Sequence, residues 1–451
     1  MKRTANLTEG HIAKTLFKLA LPIMGTSFVQ MAYSFIDMIW VGKIGSDAVA
    51  SVGTVGFFTW LASAFVLVPK IGAEVNVAQA VGMKDHERVK EYVRQSLQIG
   101  VFLALLYGMV MIVFRNQLIA FFNLGDENVI KDAVDYLVIV SLGFVCFFIN
   151  PVFTAIFNGH GDSRTPFLIN SIGLVINVLL DPLLIFGIGP FPRLEVKGAA
   201  IATVIAQVIA SSIFLLKARK LPDVFSDIHF FRRPKAEYVL RISKIGIPSA
   251  LQSGLFAIIA MIIARIIAGW GTTAIAVQKV GSQIESISWL TAGGFQSAMS
   301  AFIGQNLGAR KLDRVKTGYF VGLAIVSVIG VFATVLLFFF AEPLFAVFVE
   351  ESETITLGID YLRILAASQL FMCIEITTAG AFYGLGKPFP PPIVGISFNA
   401  LRIPMAIGLS ATSLGLNGIW WAISISSILK GTVLTAWYII LIRKRVDHLT
   451  V

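Results

Sequence analysis

The sequence predicts an all-α polytopic membrane protein, with twelve transmembrane helices in two pseudo-symmetric six-helix halves. Three observations carry that expectation. Apolar residues make up 56% of the 451-residue chain and charged residues only 14%, with a mean hydropathy of +0.82. A soluble domain carries about 25% charged residues. Runs approaching the roughly 20 apolar residues that a membrane-crossing helix needs recur from end to end, as at 322–340 and 419–442. Within them apolar residues are continuous rather than alternating, which argues against membrane strands. These features exclude a soluble enzyme and a disordered chain.

The stretch 1–18 is polar and basic, and the apolar segment after it lacks a small-residue cleavage site, so it reads as a retained helix rather than a signal peptide. Spans one to six follow at about 15–40, 48–80, 93–115, 130–157, 165–188 and 197–217. Spans seven to twelve follow at about 243–269, 274–304, 317–341, 356–384, 389–411 and 416–441. Between the two sets, 217–244 is the longest polar stretch, with eight Lys/Arg and three Asp/Glu. The domain expectation is therefore an N-terminal lobe at 1–217, a cytoplasmic linker at 218–242 and a C-terminal lobe at 243–451.

Orientation follows from the basic residues. The N-terminus, the loops after the even-numbered spans, the linker and the tail together hold 25 Lys/Arg, while the opposite loops hold only Lys43, Arg115, Lys131, Arg193 and Lys197. Cytoplasmic loops carry the excess, so the reading places both termini in the cytoplasm and the chain in the inner (plasma) membrane. The opposite side is acidic, with Asp126, Glu127, Glu350, Glu351 and Glu353. The net charge of +10 is thus assigned to topology and not to nucleic acid.

The halves are related in sequence. Pro22 and Pro248 lie 226 positions apart, as do Gln79-Ala-Val-Gly82 and Gln305-Asn-Leu-Gly308. Later in each half, Asn158-Gly-His-Gly161 parallels Tyr383-Gly-Leu-Gly386, and Asn177-Val-Leu-Leu-Asp-Pro182 parallels Asn399-Ala-Leu-Arg-Ile-Pro404. With six spans each, the repeats share one orientation, a pattern of transporters whose site lies between the halves.

An ionisable side chain at mid-membrane costs about 2.5–3.5 kcal/mol or more, so each asks for a reason. In span one, Gln30, Ser34 and Asp37 share a helix face; in span five, Asn170, Asn177 and Asp181 do, with Pro182 adjacent. Two polar stripes, each with a carboxylate, suit cation binding. An apolar setting favours the protonated form of a carboxylate, so a proton fits the site. With Asn oxygens the same groups also suit Na⁺. The alternative is that both aspartates only hydrogen-bond neighbouring helices. The second half has Ile263 and Ile403 at the corresponding places and instead carries Arg265, Lys279, Glu285, Glu375 and Arg402. Internal ion pairs and substrate contact are both open readings of those charges. Gln278, Ser282, Glu285 and Trp289 share a face of span eight. Met24, Met31 and Met38 recur every seven residues in span one, which suits either an adaptable binding surface or plain packing.

Other chemistry is unsupported. The five histidines (His11, His86, His160, His229 and His448) fall in loops or termini, and Cys146 and Cys373 lie singly in apolar segments. No metal site, cofactor or disulfide framework is expected. No phosphate-binding G-x-x-x-x-G-K-[ST] loop occurs, and no nucleophile–His–carboxylate set or nucleic-acid module is visible.

Pro22, the stretch Gln30…Asp37 with Val41-Gly42, Gln79…Gly82, Asn158-Gly-x-Gly161-Asp162 and Asn177…Asp181-Pro182, taken in order over about 10–445, resemble the multidrug and toxic compound extrusion (MATE) transporters. The Asp37 plus Asp181 pattern is similar to the DinF-like branch. The resemblance implies two lobes forming a V around a central cavity, and rocker-switch antiport of H⁺ or Na⁺ against organic cations or other lipophilic drugs. It implies a cation-coupling site at Asp37, Asn177 and Asp181, with Tyr136, Asn150, Thr154 and Thr203 completing the network. A substrate cavity is expected to draw on Gln30, Met31, Ser34, Gln278, Ser282, Glu285, Glu375 and Arg402. Span seven has Arg265 and no acid, which departs from the NorM-like branch and leaves Glu375 as the acidic candidate of that half. The expected partners are small organic molecules and membrane lipid, with no nucleic acid, and the chain is expected to be a monomer. A flippase for lipid-linked saccharides is the rival within the superfamily, and a channel or a membrane scaffold the rival outside it.

Overall fold

The computed structural model describes residues 6–226, 230–349 and 351–445, with the side chains of 223, 444 and 445 left out. The sequence readings on Lys2, Arg3, His229, Glu350 and His448, and on the side chains of Lys444 and Arg445, lie outside the described residues. In the first half the helices are α1 (Ile12–Gly42), α2 (Ser46–Gly82), α3 (His86–Val113), α4 (Arg115–Ala120), α5 (Glu127–Leu142), α6 (Phe144–His160), α7 (Arg164–Phe186), α8 (Glu195–Ala218) and α9 (Pro222–Phe225). In the second they are α10 (Ala236–Ala268), α11 (Thr272–Gly308), α12 (Leu312–Phe339), α13 (Ala341–Ala346), α14 (Ser352–Gly384), α15 (Pro390–Ser410) and α16 (Leu416–Arg445).

The twelve spans read from the sequence find their counterparts in order. Among the described residues ten helices are long and apolar enough to cross a membrane, and α5 with α6, bent by 48° at Gly143, makes an eleventh if the pair is one span. The remaining long helix is α11, whose Gln278, Lys279, Ser282, Gln283 and Glu285 make its N-terminal half polar. The bend between α5 and α6 was not visible as a break in apolarity. It falls where Gly143 sits against the Val204 side chain, at 2.7 Å from where a β-carbon would stand.

Among the described residues, Gly25–Ala250 form one compact unit, and 6–24 with 251–445 form the other. The chain changes unit inside α1, after Met24, and inside α10, after Ala250. These points are 226 positions apart, and each follows a helix-interior proline, Pro22 and Pro248, by two residues. Proline removes a backbone donor and loosens the helix locally.

In the first unit α2 packs on α3, α5 and α6, and α7 packs on α8. In the second, α14 is central, packing on α11, α12 and α16, while α15 packs on α16. The repeated glycines explain this closeness. A β-carbon on Gly159 of α6 would stand 2.7 Å from the Glu74 carbonyl of α2, and one on Gly384 of α14 would stand 2.7 Å from the Ser300 carbonyl of α11. Glu74 and Ser300 are themselves 226 positions apart, so each unit builds the same helix crossing from the same motif. Gly161 and Gly386 end those helices with φ of 96° and 68°, a left-handed conformation natural to glycine. Asp162 then accepts from Thr165 N at 3.1 Å and Thr165 Oγ1 at 2.6 Å, capping the first turn of α7.

The Gln-x-x-Gly landmarks tie down chain entries. Arg241 at the start of α10 donates to Asn76 Oδ1 at 3.1 Å and Gln79 Oε1 at 3.2 Å. In the other unit Asn306 donates to the Leu7 carbonyl at 3.1 Å, and Arg314 donates to the Glu9 and Gly10 carbonyls at 2.7 and 2.8 Å. The linker is held to α3, with Lys235 Nζ 2.9 Å from Glu91 Oε1 and Gln98 donating to the Arg232 carbonyl at 2.9 Å.

Because backbone atoms oppose the missing β-carbons, Gly159→Val and Gly384→Val are each expected to cost about 1–3 kcal/mol, read as a lower melting temperature in detergent. Gly53→Ala, where nothing lies within 4 Å of the new atom, should not lower the melting temperature and should raise it slightly, since glycine inside a helix costs about 0.5–1 kcal/mol relative to alanine.

Candidate functional site

Four helices of the first unit bring the site together. α1 supplies Tyr33 and Asp37 one turn apart, α7 supplies Asn177 and Asp181, α5 supplies Tyr136 and α8 supplies Thr203. Asn177 and Asp181 are fully buried. Asn177 Nδ2 donates to Asp181 Oδ1 at 3.1 Å. The Tyr33 hydroxyl donates to the Thr203 carbonyl at 3.4 Å. Asp37, Asp181, Tyr33 and Tyr136 lie within electrostatic reach of one another. The sequence reading had the two carboxylates on two stripes facing one cavity, and in the fold they lie within electrostatic reach of each other.

The cluster is short of donors. Asp37 Oδ1, Asp181 Oδ2 and Asn177 Oδ1 are buried without a hydrogen-bond partner. Among the described residues no Lys or Arg acts on either carboxylate. A buried acceptor left unpaired costs about 1–3 kcal/mol, and more when charged. Two carboxyl groups with open oxygens and no basic partner among the described residues can hold a proton or a small hard cation. Among the described residues no group of three or more His, Cys, Asp and Glu side chains is placed to hold a metal ion.

Next to the cluster is a cavity of about 400 Å³ within the same unit. Its wall includes Gln30, Tyr33, Ser34, Asn150 and Asn170. Tyr33 therefore touches both the cavity and the carboxylate cluster. It was missed from the sequence, although its position four residues before Asp37 puts it on the same face. Gln30 and Ser34 stand where the sequence placed them, whereas Met31 is half-buried and not part of the wall.

Two expected members of the cation network lie elsewhere. Asn150 donates to the Gln207 carbonyl at 3.1 Å and accepts from Ser211 Oγ at 2.7 Å, so it joins α6 to α8. Thr154 accepts from Asn170 at 3.4 Å, and Asn170 is eleven residues, about 16 Å of helix, from Asp181. Neither reaches the carboxylates.

The charges of the second unit are largely satisfied by its own side chains. Glu375 pairs with Lys430 at 3.1 Å, both buried. Arg402 donates to Ser426 Oγ at 2.6 Å and Ser427 Oγ at 3.1 Å. Glu285 accepts from the Tyr361 hydroxyl at 2.9 Å and from Gln369 Nε2 at 2.8 Å, and Gln278 donates to Tyr361 at 3.4 Å. Lys430, Tyr361 and Gln369 were not singled out from the sequence, because each is a partner on another helix. The face expected on span eight divides: Gln278 and Glu285 turn to α14, while Ser282 and Trp289 are exposed. Ser282 donates only to the Lys279 carbonyl. Arg265 and Lys279 are exposed.

The sequence model of the MatE family matches residues 22–183 and 248–407, one segment in each half. The chain belongs to the MatE family. Its two matched segments begin 226 positions apart, the offset seen in the sequence and at the change of unit. Similar to this MatE chain are the "Probable multidrug resistance protein NorM" of Thermotoga maritima, 28% identical and covering 97% of this chain and 96% of that one, and the FAD transporter of Shewanella oneidensis, 26% identical with coverages of 96% and 95%. The multidrug export protein MepA of Staphylococcus aureus is 26% identical, with coverages of 98% and 95%. Among solved structures, a MATE protein in a bent conformation aligns with a TM-score of 0.90 at 24% identity over 98% of each chain. An outward-facing multidrug resistance MATE transporter of the MOP superfamily aligns with a TM-score of 0.88 at 24% identity, over 98% of this chain and 100% of that one. Family membership makes this chain a transporter and not an enzyme.

Asn177→Ala removes the one side-chain donor to Asp181 and is expected to cost about 1–3 kcal/mol. A double-variant cycle with Asp181→Ala, read by thermal unfolding in detergent, should show the two losses to be strongly non-additive.

Proposed function

We propose that the chain is a secondary active antiporter that exports organic, often cationic, lipophilic compounds in exchange for protons, with Na⁺ the second choice of coupling ion. The observation that carries this reading is the pair Asp37 and Asp181: two carboxylates from different helices, with unpaired buried oxygens and no cationic side chain acting on them. An ionisable group held this way inside a membrane unit points to an ion pathway. Asn177 orients Asp181, Tyr136 shields the pair from lipid-like surroundings, and Tyr33 relays occupancy of the pair to the adjoining cavity.

The coupling follows from charge. With both carboxylates ionised, their repulsion favours any arrangement of α1 and α7 that admits a cation. Loading a proton or Na⁺ removes that repulsion and favours an arrangement that closes on it. Pro22 in α1 and Pro182 in α7 weaken the backbone ladder where such a change needs to occur. We take the rocker-switch form of alternating access from family membership, together with a DinF-like assignment based on the paired aspartates. The halves 1–217 and 243–451 act as lobes joined by the 218–242 linker in a monomer. Both termini are placed in the cytoplasm, with the chain in the plasma membrane, on the Lys/Arg asymmetry. The drug-export names of the NorM and MepA relatives support a broad range of cargo.

In proteoliposomes, efflux of a fluorescent lipophilic cation should follow an imposed proton gradient. It should fall at least tenfold in Asp37→Asn and in Asp181→Asn, with both variants monodisperse and normally stable. Flux driven only by Na⁺, and equally lost in the variants, would change the ion and keep the site. Wild-type flux in both variants would remove the carboxylates from coupling.

A further inference from the structure

The cavity wall holds a charge that the coupling site does not use. Among the described residues lining the cavity, Lys70 of α2 is the one Lys, Arg, His, Asp or Glu. The wall around it is polar but neutral, with Ser63, Asn150, Asn170 and Gln207. The electrostatic neighbour of Lys70 is Glu74, one turn further along α2, yet Glu74 is buried and does not line the cavity. Of the two side chains, only Lys70 reaches the cavity wall.

Lys70 also stands far from the carboxylates. α1 and α2 are joined by the three residues 43–45, so Gly42 and Ser46 mark the same end of the unit. Asp37 is five residues from that end, about 7 Å of helix, whereas Lys70 is 24 residues from it, about 36 Å. Tyr33 lines the cavity on the carboxylate side and Lys70 lines it on the far side. A molecule filling the cavity meets carboxylates through Tyr33 at one end and an ammonium at the other.

We propose that Lys70 is a recognition residue for a carboxylate on the cargo, so that the cavity selects amphoteric lipophilic molecules over purely cationic ones. This rests on the transport reading above for its physiological meaning, but it is a statement about binding and is tested without transport. A lysine facing a wall with no other charged side chain gains a charge-assisted hydrogen bond when a carboxylate arrives. An esterified cargo of the same shape forfeits that bond and leaves Lys70 with Glu74 as its carboxylate neighbour. Discrimination between acid and ester is then large, because a site built to pair a polar group rejects the analogue lacking it.

Two dyes make the comparison clean: rhodamine 6G, an ethyl ester with a cationic ring system, and rhodamine 19, its free acid. Their binding to the purified full-length chain in detergent is measured by fluorescence polarisation. The acid should bind wild type at least fivefold tighter than the ester. Lys70→Gln should weaken the acid at least tenfold and the ester less than twofold, and Lys70→Arg should keep the acid preference. Equal weakening of both dyes would make Lys70 only the counter-charge of Glu74 and overturn the proposal, as would no change in either. Should Lys70→Gln not fold, reductive methylation of the wild-type chain decides. The acid, and not the ester, should protect Lys70 as read by mass spectrometry; equal protection, or none, would overturn the proposal. Loss of flux in proteoliposomes with the acid preference intact would count against the antiport reading and not against this one.

Discussion

Everything in the first unit depends on two carboxylates that have no counter-charge. In an apolar medium an unpaired charge is expensive enough to decide which helices approach one another and what they require from outside. Asp37 and Asp181 are brought together from α1 and α7, given one amide donor by Asn177, and left with open oxygens. Among the described residues no basic side chain completes that cluster, which is why we propose that a proton or a small cation does.

The second unit handles the same difficulty in another way. There Glu375 meets Lys430, Arg402 meets two serine hydroxyls, and Glu285 meets a tyrosine and a glutamine. Breaking a buried pair strands a charge at a cost of about 3–5 kcal/mol, so these groups fix helix packing. The two repeats share their glycine crossings and their proline positions, yet differ in what they do with buried charge. The shared features build the scaffold, and the difference is the ground for proposing ion chemistry in the first half.

Much of this was legible in the sequence, for identifiable reasons. Span positions follow from apolar runs, because the bilayer fixes helix length. The repeat was visible because Gly159 and Gly384 have no alternative to glycine at a backbone contact of 2.7 Å. Asp37, Asn177 and Asp181 were legible because a carboxylate in a span needs a reason. What the sequence left out was pairing across helices. Tyr33 looked like one aromatic among many until the fold placed its hydroxyl near Thr203 and its ring beside the cavity. Lys430 sat as a single charge inside an apolar run and Lys70 one turn from Glu74, and only tertiary contacts separate a charge paired with Glu375 from one that faces a cavity. Asn150 and Thr154 were assigned by approximate position along α6, and a shift of one or two turns was enough to remove them from the carboxylates.

The central claim is that one cluster of carboxylates holds the coupling ion and that cargo binding changes its occupancy. Linkage makes this reciprocal: if the ion weakens cargo binding, cargo must expel the ion. The most direct measurement is proton release on adding a lipophilic cation to purified protein in weakly buffered detergent solution, followed with a pH-sensitive dye. The account predicts release from wild type and none from the Asp37→Asn/Asp181→Asn double variant at equal cargo occupancy. Undiminished release from the double variant would contradict it.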